Sequence, residues 1–233
     1  TDLAPACLDL ARWGSVEGAG LKFLDQPPVP HLAQARETLL RLGALTPEGT
    51  LTDHGRRMAE LPVHPRFAHM LLRGRELGIG ALACDVAALL EERDLLRGAS
   101  EVDLDLHSRW HRLRKGGRGR DGTAIDRVRA QTARLREMLG GMPEASRGDR
   151  IGLLVALAYP ERVAKRRAPD GMRYQLAGGT GAVLPKGSML AKEPYLAVAD
   201  VDGVGAEVRI FLAEPLTDDE IREAFADQVV AEE

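Results

Sequence analysis

Three groups of residues have the types and spacing that chemistry needs. Gly181-Ala182-Val183-Leu184-Pro185-Lys186-Gly187-Ser188 holds the ingredients of a phosphate-binding loop. In such a loop backbone N–H groups cradle the phosphates, a lysine neutralises them and a hydroxyl holds magnesium. The order is wrong here: Pro185 stands where a glycine belongs, and Gly187 separates Lys186 from Ser188. An exposed Pro185-Lys186-Gly187 turn is expected instead, with Lys186 available to a phosphate. His107 and His111 are four apart, on one helix face with Asp103 a turn earlier, and His64 and His69 are five apart. A metal site needs a third ligand brought close by folding, and a zinc-hydrolase helix carries Glu directly after its first histidine, where Ser108 stands. Glu91-Glu92 with Asp94, and Asp218-Asp219-Glu220, read as surface or helix-start charge rather than as paired acid and base. No residue is assigned to catalysis or to a metal.

The elements that position these groups follow from periodicity. Leu3, Cys7 and Leu10 fall on one helical face that Gly14 ends, and Leu32, Ala35, Leu39 and Leu42 mark a second helix that stops at Gly43. Thr46–Leu51 is short enough for a small wing. Thr52 caps a third helix with Met58 and Leu61 on its apolar side, and Pro62 and Pro65 break the chain before the next. From Pro65 to Leu96 the sequence predicts two helices interrupted by Gly74, Gly78 and Gly80. Ser100 and Asp103 are candidate starts for a helix burying Leu106, Trp110 and Leu113. Past the Gly116–Gly122 connection, Ile125, Val128, Thr132, Leu135 and Leu139 form the stripe of another, which ends near Gly140-Gly141. Ile151–Ala158 is an apolar helix. Beyond the basic segment Arg162–Arg167, strands are expected at Arg173–Ala177, Tyr195–Val201 and Glu207–Ala213, too close in sequence for a doubly wound sheet and suited to a small antiparallel barrel. Thr217 and Glu220 form a capping-box pair ahead of a last helix with Ile221, Phe225 and Val229 on one face.

Composition narrows the function classes. The 233 residues carry a net charge of −3, so the surface as a whole is not a field for nucleic acid. The distribution is uneven: Arg109–Arg136 holds ten basic and two acidic residues, and Asp200–Glu233 two basic and eleven acidic. Cys7 and Cys84 are too few for a zinc cluster or a disulfide framework and read as buried thiols. No run is long and apolar enough for a membrane span, and Thr1–Leu10 lacks the pattern of a secretory signal, so no membrane partner and a cytoplasmic location are expected.

Leu24-Asp25-Gln26-Pro27-Pro28, Leu42-Gly43-Ala44-Leu45, Leu51-Thr52, Gly55-Arg56, Met58-Ala59, Leu61-Pro62 and Pro65-Arg66 form an ordered set. Together they resemble the winged helix of DEAH-type ATP-dependent helicases and its exit into the helical ratchet. Leu157-Ala158-Tyr159-Pro160-Glu161-Arg162-Val163-Ala164 and Tyr174-Gln175-Leu176-Ala177-Gly178-Gly179-Thr180-Gly181-Ala182 are similar to the HrpB branch of the bacterial members. The resemblance implies a multidomain, mainly α chain with β: a winged helix (1–61), a ratchet-like bundle (62–149), an OB-like barrel (150–216) and an acidic C-terminal helix (217–233). There is no DEAH sequence, so the resemblance implies that both RecA-like motor domains lie outside this chain. The chain by itself is then no enzyme and needs no cofactor, while ATP and magnesium belong to the parent motor.

Two basic patches are candidates for phosphate contact. One holds Arg112, Arg114, Lys115, Arg118 and Arg120, with Arg127 and Arg129 after the loop. The other holds Arg162, Lys165, Arg166, Arg167 and Arg173, near Tyr174 and Lys186. Guanidinium groups hold phosphates without reading bases. Tyr174 is a candidate to stack on an unpaired base, although its alternation with Leu176 also suits a strand core. The resemblance implies that Asp25, Pro62, Pro65 and Arg66 form a domain joint. It also implies RecA-like domains and single-stranded RNA or DNA as partners, with no obligate homo-oligomer. The competing reading is a scaffold whose basic linker binds an acidic protein surface.

Overall fold

Thr52 begins a helix as its sequence predicts. Its hydroxyl oxygen accepts the Gly55 N–H at 2.9 Å, so one of the orphan donors of the first turn is satisfied. The computed structural model describes residues 2–14, 27–92, 104–115, 122–142, 145, 148–167, 171–203 and 205–226. They fall into two compact units, Thr1–Leu72 and Arg73–Glu233.

The first unit contains α1 (Ala4–Arg12), α2 (Val29–Arg41), α3 (Asp53–Ala59) and the start of α4 (Pro65–Glu76). Leu45 bridges Leu51 antiparallel, which makes the short wing. Leu8, Leu39, Met58 and Ala68, one from each helix, share a single core. Burying each of the large ones stabilises the unit by about 1.5–3 kcal/mol. Pro65 opens α4, where its missing N–H costs no helical hydrogen bond.

The helical part of the second unit contains α5 (Gly80–Glu91), α6 (Leu106–Lys115), α7 (Gly122–Met138) and α8 (Ile151–Ala158). Every residue of α8 is buried, as its unbroken apolar sequence requires. The predicted stripe Ile125, Val128, Thr132, Leu135 and Leu139 is buried too. Gly74 does not interrupt α4. A Cβ there would stand 2.8 Å from the Ala83 Cβ and 3.1 Å from Leu154, so the glycine permits a close helix approach. Asp85 on α5 is 2% exposed. Its carboxylate accepts the Trp110 indole N–H at 2.9 Å and an Arg136 N–H at 2.7 Å, tying α5, α6 and α7 together. Burial holds its pKa above the ordinary aspartate value in spite of both partners.

The rest is a closed barrel of β1 (Val163–Arg166), β2 (Arg173–Leu176), β3 (Gly181–Val183), β4 (Tyr195–Asp202) and β5 (Glu207–Pro215), in the order β1-β2-β3-β5-β4. Its seams are antiparallel except β3–β5, which is parallel. The small OB-like barrel is therefore present, with one parallel seam where an all-antiparallel barrel was expected. Strands β1 and β3 are additions to the three predicted. They span four and three residues, β1 lying within the basic segment, and pairing with their neighbours makes them strands. Gly152 lets α8 lie against the barrel, because a Cβ there would be 2.0 Å from the Pro215 carbonyl oxygen. The predicted capping box is formed: Thr217 accepts the Glu220 N–H at 3.2 Å and donates its own N–H to the Glu220 carboxylate at 3.0 Å, opening α9 (Asp218–Ala224). Arg150, just before α8, pairs with Glu223 and lies 3.8 Å from Glu220.

Candidate nucleic-acid interface

Alternation along β5 sends Val208 and Ile210 into the barrel core and leaves Glu207, Arg209 and Phe211 exposed, and past a register shift Ala213 takes the inward place. Strand register then builds a row across the outer surface. Arg173 on β2 pairs with Val183 on β3, which pairs with Arg209 on β5, and Arg209 pairs with Asp202 on β4. Beside this row lies a groove of about 560 Å³, lined by Val183, Leu184, Pro185 and Lys186 on one side and Glu207, Val208 and Arg209 on the other. The Arg209 guanidinium lies 5.3 Å from the centre of the Phe211 ring, which is 36% exposed. Glu207 is 3.8 Å from Arg173. The result is an apolar-floored groove with Lys186 and Arg209 at its edges, Arg173 one strand away and an aromatic face beside it.

The predicted residues sort into three groups. Arg114 donates to the Ala145 carbonyl oxygen and lies 5.3 Å from the Trp110 ring. Arg127 pairs with Glu92 at 2.8 Å, and Arg129 donates to the Leu113 carbonyl oxygen at 2.8 Å. Arg162 donates to the Ala199 carbonyl oxygen at 2.8 Å with its guanidinium 4.6 Å from the Tyr159 ring, and Arg166 donates to the Lys192 carbonyl oxygen at 3.0 Å. These side chains hold the fold. Arg112, Lys115, Lys165, Arg167, Arg173 and Lys186 are exposed, as are Arg114, Arg127 and Arg129 in spite of their partners. Asp25, Arg118 and Arg120 lie outside the described residues, as do Ser100, Asp103 and Val229. In the expected joint Pro62 is exposed, Arg66 half-buried and Pro65 buried.

Tyr174 is a correction. It is 0% exposed, and its hydroxyl lies 3.0 Å and 2.8 Å from the carbonyl oxygens of Leu190 and Glu193, so its ring is barrel core and cannot stack on a base. Burial pushes its pKa up to about 12. Arg209 and Phe211 were missed. The signal was an aromatic in the outward phase of Glu207–Ala213, and it meant little until the groove was formed beside it.

The nucleotide-loop ingredients do not make a cradle. After β3 the chain turns at Gly187 (φ +85°) and enters a short 3-10 turn, Met189–Lys192, rather than an α-helix whose N–H groups would face a phosphate. The Leu184 N–H donates to Met172 and the Ser188 N–H to Pro185, while the Ser188 hydroxyl caps Leu190. The histidines also serve the fold. His107 meets the Gly148 carbonyl oxygen at 3.2 Å, with the His111 ring centre 4.7 Å away. His69 meets His54 at 2.8 Å, and His64 pairs with Asp2 at 3.2 Å, burial holding its pKa below the ordinary histidine value. Among the described residues no group of three or more His, Cys, Asp or Glu is placed to hold a metal, and no helix is long and apolar enough to cross a membrane.

Residues 35–63 match the winged-helix part of the helicase associated domain (HA2) family. The chain is 34% identical over 196 residues to the ATP-dependent RNA helicase HrpB of Escherichia coli (strain K12), covering 84% of this chain and 22% of that protein. It is 33% identical over 96 residues to the probable ATP-dependent RNA helicase DHX35 of Homo sapiens, covering 41% of this chain and 14% of that protein. The crystal structure of the E. coli DExH-box NTPase HrpB has the same fold, with a TM-score of 0.79 and 30% identity over 97% of this chain and 26% of that one. A second crystal structure, of the Escherichia coli DEAH/RHA helicase HrpB, gives a TM-score of 0.75 at 28% identity over 94% of this chain and 26% of that one. The chain thus spans roughly a quarter or less of the length of these relatives. Along its length the chain is thus similar to a non-motor region of DEAH-type helicases, and most of all to that of the HrpB branch.

Proposed function

We propose that this chain is the non-motor part of an ATP-dependent RNA helicase, guiding a single strand and coupling it to RecA-like domains carried elsewhere in a longer cytoplasmic protein. The observation that carries the reading is the groove lined by residues 183–186 and 207–209, with Lys186, Glu207 and Arg209 on it and Phe211 beside Arg209. Cations spaced along an apolar groove hold a phosphate backbone irrespective of sequence, and an exposed ring gives a base a face to stack on. The relatives' names as ATP-dependent RNA helicases support RNA as the strand. ATP and magnesium are assigned to the motor, consistent with a Pro185–Ser188 turn that does not fit a nucleotide. Arg118 and Arg120 are proposed as further phosphate contacts from the sequence alone.

The test is a salt-titrated comparison of binding to short single-stranded RNA, single-stranded DNA and a peptide of similar acidity. Preference for RNA, with affinity falling steeply as salt rises, supports strand guidance. Preference for the peptide supports the scaffold reading instead. Changing Arg118 and Arg120 together to Ala should weaken binding to unrelated strands by a similar factor and flatten the salt dependence. Unchanged binding and slope remove those two residues from the interface.

A further inference from the structure

Glu214 lies near the end of β5, where an outward residue would be expected to meet water, yet it is 5% exposed. The chain just before α6 explains why. Asp105 bridges Ala213 in parallel, and the Ala213 N–H donates to the Leu104 carbonyl oxygen at 3.1 Å, so residues 104–105 pair with the part of β5 that runs beyond β3. Leu104 enters the barrel core with Ala164 and Ile210. The arm brings a second carboxyl to the first. One N–H, that of His107, is shared by an Asp105 oxygen at 2.8 Å and by a Glu214 oxygen in close contact. Two carboxyl groups converging on one donor in a buried site cannot both carry charge without strong repulsion. A single proton held between them removes that repulsion.

We propose that Glu214 is a neutral carboxylic acid donating its proton to the Asp105 carboxylate, and that this shared proton latches the arm of α6 to the barrel. The two carboxyls have different surroundings, which decides who holds the proton. Asp105 also accepts the Ser108 hydroxyl at 3.2 Å. Burial raises its pKa, but hydrogen bonds from Glu214, His107 and Ser108 outweigh that and hold it below the ordinary aspartate value. Glu214 is pushed up to about 9, first by burial and then by the hydrogen bond and charge of Asp105. The other described groups nearest Glu214 are mostly backbone and small side chains. On β4 it pairs with Ala197, and α8 presents Gly152, whose Cβ position is 3.7 Å from the Glu214 side chain. On α6 the titratable neighbour is His107, with Arg109 buried farther along. Arg150, at the start of α8, is paired with Glu223.

The sign follows from linkage. The folded state binds the Glu214 proton more tightly than the unfolded chain, so the stabilisation is complete below the ordinary glutamate value and is lost as pH rises toward about 9. Asp105 runs the other way, its contribution being lost only in acid. The same arm leads into the helix that carries Arg112, Arg114 and Lys115, so its release at high pH loosens that helix from the barrel.

The test uses the full chain and no nucleic acid, so it fails or succeeds independently of strand binding. The unfolding constant should rise by up to about tenfold per pH unit between the ordinary glutamate value and about 9 in the wild type. That component should vanish in Glu214→Gln, which keeps both hydrogen bonds without a titrating proton. Asp105→Asn should move the transition to lower pH. The wild type alone also decides the matter: the carboxyl carbon of Glu214, followed by 13C NMR, should titrate far above the ordinary glutamate value, with amide protection at His107 and Ala213 lost over the same range. A glutamate-like titration of that carbon, or a Glu214→Gln variant with the wild-type pH dependence, overturns the proposal.

Discussion

Two sets of arginines in this chain are alike in sequence and differ in structure: those that satisfy the fold, on the helices and at Arg162 and Arg166 of the barrel, and those around the groove. On the helical side, Arg114, Arg127 and Arg129 point their guanidinium groups at a carbonyl, a carboxylate and another carbonyl of the fold itself. Arg136 goes further, half-buried against the buried Asp85. On the barrel, Arg173, Lys186 and Arg209 stand around an open groove. A high local count of arginines therefore measures how many carbonyls and carboxylates a region must satisfy as much as it measures affinity for phosphate. What separates the sets is the neighbourhood of each side chain, which tertiary packing supplies.

The comparison breaks most readily at Asp85. Its replacement by Ala leaves Arg136 and the Trp110 indole without their shared acceptor, at side-chain exposures of 15% for Arg136 and 3% for Asp85. Urea unfolding should show a loss of about 3–5 kcal/mol, the usual cost of removing one partner of a buried pair. An arginine there that served a ligand instead would leave stability nearly unchanged.

Phe211→Ala sharpens the barrel side. Loss of one stacked base should cost about 1–3 kcal/mol in RNA affinity, with the salt slope unaltered because no charge is removed. The complement is Arg173→Ala with Arg209→Ala. Two lost phosphate contacts should weaken binding about tenfold, roughly 1.4 kcal/mol, and lower the salt slope by about 1.4. Equal losses of slope in both variants would mean that the ring and the cations do not divide the work as their positions suggest.

The smallest effect is expected from Arg127→Ala. Its pair with Glu92 is half-exposed on the arginine side, so stability should fall by less than about 1 kcal/mol and the RNA salt slope should stay as it is. A marked drop in slope would add Arg127 to the interface and blur the contrast.

Much of the fold was legible because its signals are local. Thr52 and Thr217 cap the helices they were expected to cap, and the stripe from Ile125 to Leu139 faces inward as its spacing demands. Gly74 shows the limit of such signals, since a glycine that looks like a break is a contact point once Ala83 and Leu154 are packed against it. The candidate site was less legible. Lys186 and Arg173 stand out in sequence as cations, Arg209 and Phe211 do not stand out, and for Tyr174 the sequence leaves stacking and strand core open where the structure gives core. In a strand of four residues a single alternation does not say which face is core.

The sequence by itself determined the order of helices, the caps, the break between α3 and α4 at Pro62 and Pro65 and the kind of protein it resembles, because each depends on residues within a few positions of one another. The tertiary structure decided which arginines face solvent, that β1 and β3 are strands, and that Asp105 and Glu214 meet across more than a hundred residues of chain. Charge and hydrogen-bonding capacity are properties of a residue. Whether they are left for a ligand is settled only when the distant groups that can satisfy them arrive.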